Sequence, residues 1–219
     1  HSFLIALAFR PFTARHHWVL GLAATTIATA GTMTLGSAVL SRPLSFLASD
    51  LFLPIIFFGW WFVNCFPYGG ALIAFTPVRL SLFFFSCIIK SRSTALGYSL
   101  ALSTFPDSKI IAPLAISTLY GCGAKLMMDA IFAVEQVAMR RCTHGNGADS
   151  KNIDAPRWVP GWVVESALLV ALFWHFAVKR AEFVGESTGM VAVIAFNIVY
   201  GYLTVLGFQP FPFNWIDTV

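Results

Sequence analysis

The chain has 219 residues, of which 58% are hydrophobic and only 11% charged, and a mean hydropathy of +0.75. An average soluble domain is about 25% charged, so this chain lacks the charge to solvate a separate soluble domain and is read as an integral membrane protein. Its net charge of +4 comes from basic loops, and the absence of any cluster of Lys and Arg interleaved with exposed aromatics excludes a nucleic-acid partner.

Residues 1–9 (HSFLIALAF) are too short to span and lack the charged start and small-residue cleavage site of a signal peptide, so they read as the tail of a helix that begins upstream. A short loop, RPFTARHH, follows with Arg10 and Arg15. Residues 17–40 predict the first full span, rich in Gly, Ala and Thr, with Gly31 and Gly36 near its middle. Small residues let helices approach closely, so this span is expected inside a bundle and away from lipid. The chain then breaks at Pro43, and Ser49–Asp50 is a candidate cap for the next helix. That span covers residues 51–68, holds Trp60 and Trp61, and is expected to end at Gly69 and Gly70.

Pro77 opens another helix, which runs to about Ser103. Lys90 and Arg92 lie about 20 Å along it at 1.5 Å per residue, which is deep for two cations. Three readings stay open for them. They snorkel from a tilted helix, they pair with Asp129 or Glu135 inside the bundle, or they meet a phosphorylated lipid headgroup in a water-accessible cleft, helped by Arg79.

The stretch from Phe105 to Arg141 organises the rest of the chain. It starts as an ordinary span, is interrupted by Gly121, Cys122 and Gly123, and then presents Lys125, Asp129 and Glu135 in apolar surroundings. A continuous membrane helix needs no glycine pair, and ionisable groups at membrane depth are costly unless they face water or a partner. A broken helix followed by charges therefore predicts a polar path or site; the bland alternative is a tolerated kink with charges near the interface. Lys125 and Asp129 have i,i+4 spacing and can satisfy one another. Glu135, followed by Arg140 and Arg141, reads as a helix end approaching the cytosol.

Residues 138–157 form the main polar loop, residues 158–179 a sixth helix with Glu165 and His175 inside, and residues 189–207 a clean final span before an aromatic, interfacial tail. The fold class expected is an all-α, polytopic bundle of seven transmembrane helices forming one domain over 1–219. Repeat 1 covers about 1–70, repeat 2 about 76–180 and an extra helix about 189–207. A weak internal echo supports two inverted three-helix repeats: glycine-interrupted helices around Gly31 and Gly121 hold matching places in the two halves. The positive-inside rule puts the basic 138–157 loop in the cytosol, and the loop at 179–186 on the opposite side with the N-terminus.

Cys65, Cys87, Cys122 and Cys142 include no pair with metal or redox spacing, and His16, His17 and His144 lack further ligands, so no metal is expected. No nucleophile elbow, HExxH, dinucleotide fingerprint or phosphate loop occurs, and Asp129 and Glu135 fall on largely different helix faces, so an enzyme is not expected.

Several separate stretches resemble one family. The order Trp60-Trp61, Pro67, Thr76-Pro77-Val78-Arg79-Leu80, Lys90-x-Arg92 and Gly97 resembles the third and fourth helices of the trimeric intracellular cation (TRIC) channels. Tyr120-Gly121-Cys122-Gly123 is similar to that family's Lys-Gly-x-Gly break, Glu135-Gln136 with Arg140 to its Glu-Gln…Arg-Gly ending, and Arg15-His16-His17 to its Arg-His-Pro start of the second helix. The family's Lys-Glu pair falls on Ser86 and Cys87, and its Lys before the glycines on Tyr120.

The resemblance implies a homotrimer in the endoplasmic or sarcoplasmic reticulum membrane that conducts monovalent cations, potassium above all, through each protomer. The path would follow Gly31, Gly36, Gly121, Gly123, Lys125 and Asp129 on kinked second and fifth helices. Arg79, Lys90 and Arg92 would bind lipid headgroups, with a phospholipid or phosphoinositide the one bound molecule implied besides ions and membrane lipids. A different class of function fits the same sequence: a non-conducting structural subunit among other subunits of a larger membrane complex. A third, a small-solute transporter, predicts a substrate-sized midplane cavity.

Overall fold

The computed structural model describes residues 1–43, 50–144, 162–180 and 183–205, and no strand forms among them. The helices are α1 (Ser2–Ala8), α2 (Arg10–Arg15), α3 (Trp18–Val39), α4 (Phe52–Asn64), α5 (Gly69–Ala74), α6 (Thr76–Thr104), α7 (Ile111–His144), α8 (Trp162–Phe173) and α9 (Glu186–Val205). A π-helical segment, Trp174–Arg180, continues α8. Trp18–Val39, Ile111–Ala138 and Glu186–Leu203 are long and apolar enough to cross a membrane. The 22 residues of α3 span about 33 Å at 1.5 Å per residue, matching a hydrocarbon core near 30 Å.

The chain divides into two compact units, and both α6 and α7 contribute to each. The first holds residues 1–83 and 122–161, the second residues 84–121 and 162–219.

In the first unit, Phe9, Phe12, Ile5, Ala24 and Ala28 form a buried cluster against Met128, Ile131 and Phe132 of α7. Phe9 stacks on Phe132 with ring centroids 5.0 Å apart. A second cluster joins Ala6, Trp60, Val63 and Ile73. The buried positions of α3 are Gly, Ala, Thr and Ser, among them Gly21, Ala24, Thr25, Ala28 and Gly31, which recur at helical spacing. That face is enclosed as expected, but Trp18, Leu20, Ile27 and Val39 on the same helix are exposed, so α3 also presents an apolar face outward.

In the second unit the core is Ala95, Tyr98, Val170, Trp174, Val178 and Val193, contributed by α6, α8, the π segment and α9.

Several boundaries differ from expectation. The expected loop RPFTARHH is mostly the helix α2, because Pro11 sits in its first turn, where the missing N–H has no intrahelical partner to lose. Gly69 and Gly70 do not end the preceding helix. Asn64 does, and after Tyr68 turns the chain with φ of 65°, the two glycines begin α5. The candidate cap at Asp50 is not used: Leu51 precedes α4 with no side-chain cap, and Ser49 lies outside the described residues. The helix of the fifth span continues to His144, although its apolar spanning stretch ends at Ala138, beside the expected end near Val137. Residues 158–161 and the aromatic tail also lie outside the described residues.

The largest correction concerns the centre of the chain. Helix α7 runs through Gly121, Cys122 and Gly123 as unbroken α-helix, so the predicted interruption is absent. The glycines are there for a different reason, which lies in what they pack against.

Candidate functional site

In the first unit, α3 and α7 touch backbone to backbone. A Cβ added at Gly123 would lie 2.7 Å from Thr32 Cα and 2.9 Å from the Gly31 carbonyl oxygen. One added at Gly31 would meet Met127 Cγ at 2.7 Å and the Gly123 carbonyl oxygen at 2.8 Å. Real Cβ contacts do not come this close, and backbone atoms cannot step aside, so only glycine fits at either position. The structure thus brings together two predicted site residues, Gly31 and Gly123, as the mutual contact of a small-residue crossing. Gly36, five residues further along α3, is also buried, but it points to a different side of the helix.

Lys125 and Asp129 follow at once on α7 and form an i,i+4 ion pair, with side chains 30% and 27% exposed. The local pairing foreseen from their spacing is therefore made. One and a half turns further, Glu135 is buried, its side chain only 4% exposed. Its Oε1 forms an ion pair with Arg15 Nη2 at 3.2 Å and a hydrogen bond with His16 Nε2 at 3.0 Å. Phe12 packs on the His16 ring with centroids 4.5 Å apart. A buried carboxylate held by a guanidinium and an imidazole is a structural clamp on α7, where the sequence suggested a helix end or a partner for Lys90 and Arg92; the carboxylates Glu135 and Asp129 instead pair with Arg15 and His16 and with Lys125. The partners of Glu135 are 119 and 120 residues away along the chain, so no spacing rule could have found the clamp.

In the second unit, Gly121 packs against side chains: a Cβ there would lie 2.6 Å from Thr94 Oγ1 and 2.8 Å from Ala167 Cβ. Gly97 plays the same part on α6, facing the Tyr120 side chain at 2.7 Å. Around these contacts the interior is polar but largely uncharged. Ser117 Oγ donates to the Thr94 carbonyl at 2.8 Å, and Asn197 Nδ2 donates to Ser91 Oγ at 2.9 Å. Tyr98 and His175 share a 2.7 Å hydrogen bond, and Tyr200 donates to Glu165 at 2.9 Å. None of these hydroxyl and amide residues was singled out from the sequence, where Ser and Thr in an apolar run carry no signal.

The three predicted lipid-binding cations part company. Lys90 donates to the Val163 carbonyl at 2.9 Å and to Ser166 Oγ at 2.5 Å, so its ammonium is tied to the first turn of α8. Arg92, two residues on, is exposed and lines a surface cleft of the second unit. Arg79 is exposed in the first turn of α6, within the first unit. Among the described residues no group of three His, Cys, Asp or Glu could hold a metal ion.

No family model and no curated protein matches this sequence. Solved structures do. A trimeric intracellular cation channel from C. elegans in the absence of Ca2+ superposes with a TM-score of 0.71 at 17% identity, covering 94% of this chain and 87% of that one. A trimeric intracellular cation channel from C. elegans with bound Ca2+ gives 0.72 at 15% identity, covering 94% and 88%. A structure of TRIC counter-ion channels in calcium release gives 0.74 at 17% identity, covering 94% and 90%. At these identities the likeness is one of fold, and it extends over nearly the whole of both chains. The chain is an all-helical integral membrane protein with the fold of the trimeric intracellular cation channels.

Proposed function

We propose that this chain is a divergent TRIC-like channel, a homotrimer that conducts monovalent cations, potassium first, through each protomer in an intracellular membrane, expected to be the endoplasmic or sarcoplasmic reticulum. The observation that carries this reading is the full-length likeness of fold, 94% of the chain at TM-scores of 0.71 to 0.74. The channel fold argues against an enzyme.

The proposed path runs along α3 and α7, past Gly31, Gly36, Gly121, Gly123, Lys125 and Asp129. The glycines act by setting the spacing of the helices and not by breaking them. The Lys125–Asp129 pair supplies the charge control: paired, it offers a cation no net attraction, and with the ammonium displaced the carboxylate does. Voltage can drive such a displacement, since a charge crossing the membrane field gains about 2.3 kcal/mol per 100 mV. Exposed Arg79 and Arg92, with Lys90, are the cations we assign to lipid headgroups, a phosphoinositide included.

The test is potassium flux from liposomes holding the purified chain, with the trimer checked by mass. Voltage-dependent potassium flux supports the reading. A folded protein without flux at any potential or lipid composition rules it out in favour of a structural subunit, and saturable flux of a small solute favours a transporter.

A further inference from the structure

In the second unit α8 gives way at Trp174 to seven π-helical residues, Trp174–Arg180. Nothing in WHFAVKR itself asks for this. The stretch holds no Pro or Gly, and its Ala, Lys and Arg are good α-helix formers. A π segment inside an α-helix is a rare, single wide turn that takes up one residue more than the α path, so its surroundings must hold it.

Three contacts do so. His175 shares a 2.7 Å hydrogen bond with Tyr98, and both side chains are buried. Val178 and Trp174 seat on Gly189 of α9, where an added Cβ would lie 2.6 Å from Val178 Cγ2 and 3.6 Å from the Trp174 ring. Lys179 pairs with Glu186 in the first turn of α9. The same register leaves two buried groups, Trp174 Nε1 and His175 Nε2, without a partner among the described residues. Unmet buried polar groups oppose the register that the three contacts favour.

The α-helical alternative is equally specific. Closing the wide turn rotates the helix beyond it by one residue, about 100°, and advances it by about 1.5 Å. Ala177 then takes the place of Val178 against Gly189, where a methyl group crowds the glycine less, and Val178 takes the place of Lys179. His175 turns off Tyr98, and Lys179 leaves Glu186. Space for the change exists: a cleft of about 590 Å³ lies beside Trp174 and the start of α9, and a Cβ at Gly185 would meet nothing within 4 Å.

We propose that Trp174–Arg180 is a two-register switch, π while Tyr98 holds His175 and Glu186 holds Lys179, and α when these contacts open. It joins a hydrogen bond buried in the core of the second unit to an ion pair at the start of the α9 span, so a change at either one biases the other. The switch concerns helix register and stands whether or not the chain conducts ions.

The experiment is fluorine NMR of the full chain in detergent micelles, with 5-fluorotryptophan replacing tryptophan and the Trp174 signal identified by its loss in Trp174→Phe. Deletion of the exposed Phe176 removes the extra residue of the wide turn, so the signal of that variant marks the α register. Wild type is expected at a different position, that of the π register. Tyr98→Phe keeps the ring and removes the hydroxyl. It should raise the ratio of α to π about tenfold, the weight of one buried hydrogen bond, seen as a second line or as a shift toward the deletion position. Glu186→Gln, at an exposed pair, should raise the ratio about twofold in the same direction, and the double variant should multiply the two factors. Unchanged helical circular dichroism verifies folding. If the deletion variant does not fold, the point variants decide alone: one common displacement in both supports the switch, and displacements in unrelated directions overturn it. A Trp174 signal that coincides in wild type and the deletion variant, or that stays in place in both point variants, also overturns it.

Discussion

The two units of the chain solve the same problem differently. Each must hold polar groups inside a protein made for lipid, and each does so beside a glycine of α7. The first unit answers charge with charge: Lys125 pairs with Asp129, and Glu135 with Arg15 and His16. The second relies mainly on neutral groups inside, with Ser91 to Asn197, Ser117 to Thr94 and Tyr98 to His175, and even Lys90 is held by a carbonyl and a hydroxyl. The glycine contacts follow the same division. Gly123 meets backbone, which cannot yield, whereas Gly121 and Gly97 meet side chains. The first unit is thus the more rigidly specified at its crossing.

Substitutions at the crossings test this contrast most sharply. Gly123→Ala forces a Cβ onto Thr32 Cα and the Gly31 carbonyl and should destabilise the protein by about 2–3 kcal/mol, toward the upper end of ordinary overpacking. Gly97→Ala meets only the Tyr120 side chain and should lose about 1 kcal/mol, since a ring can tilt. Thermal unfolding in detergent, followed by circular dichroism, checks the order. Equal losses would erase the distinction between the units.

The Glu135 clamp comes next. Glu135→Ala leaves Arg15 and His16, 49% and 32% exposed, to be solvated by water and should cost about 1 kcal/mol, whereas Arg15→Ala leaves a buried carboxylate with only its His16 contact and should cost about 2 kcal/mol. A denaturation series on the two single variants and the double variant gives their coupling. A coupling near zero would reduce the clamp to coincidence. The smallest effect belongs to Lys125 and Asp129. Part-exposed i,i+4 pairs are worth about 0.3–0.5 kcal/mol, so Lys125→Met should barely change stability. If that variant nevertheless alters potassium flux, the pair acts on ions and not on folding.

Much of the fold could be read from the sequence, because apolar runs near 20 residues have few other uses. The Lys125–Asp129 pair was equally plain, since helical spacing alone brings the two together. The nature of the Gly121–Gly123 site was not. A glycine pair in an apolar run reads the same whether it breaks a helix or lets another helix come close, and only the partner at Gly31 and Thr32 decides. The Glu135 clamp and the Lys90 contacts to α8 were hidden because they join segments more than 70 residues apart. The π segment at Trp174–Arg180 had no sequence signal at all.

The central claim is conduction, and planar-bilayer recording of the purified trimer tests it most directly. With potassium chloride gradients on the two sides, the account predicts discrete openings whose reversal potential follows potassium and not chloride, with open probability that changes with voltage. A folded, trimeric protein that stays electrically silent across the full voltage range, with and without zwitterionic and anionic lipids, would contradict it.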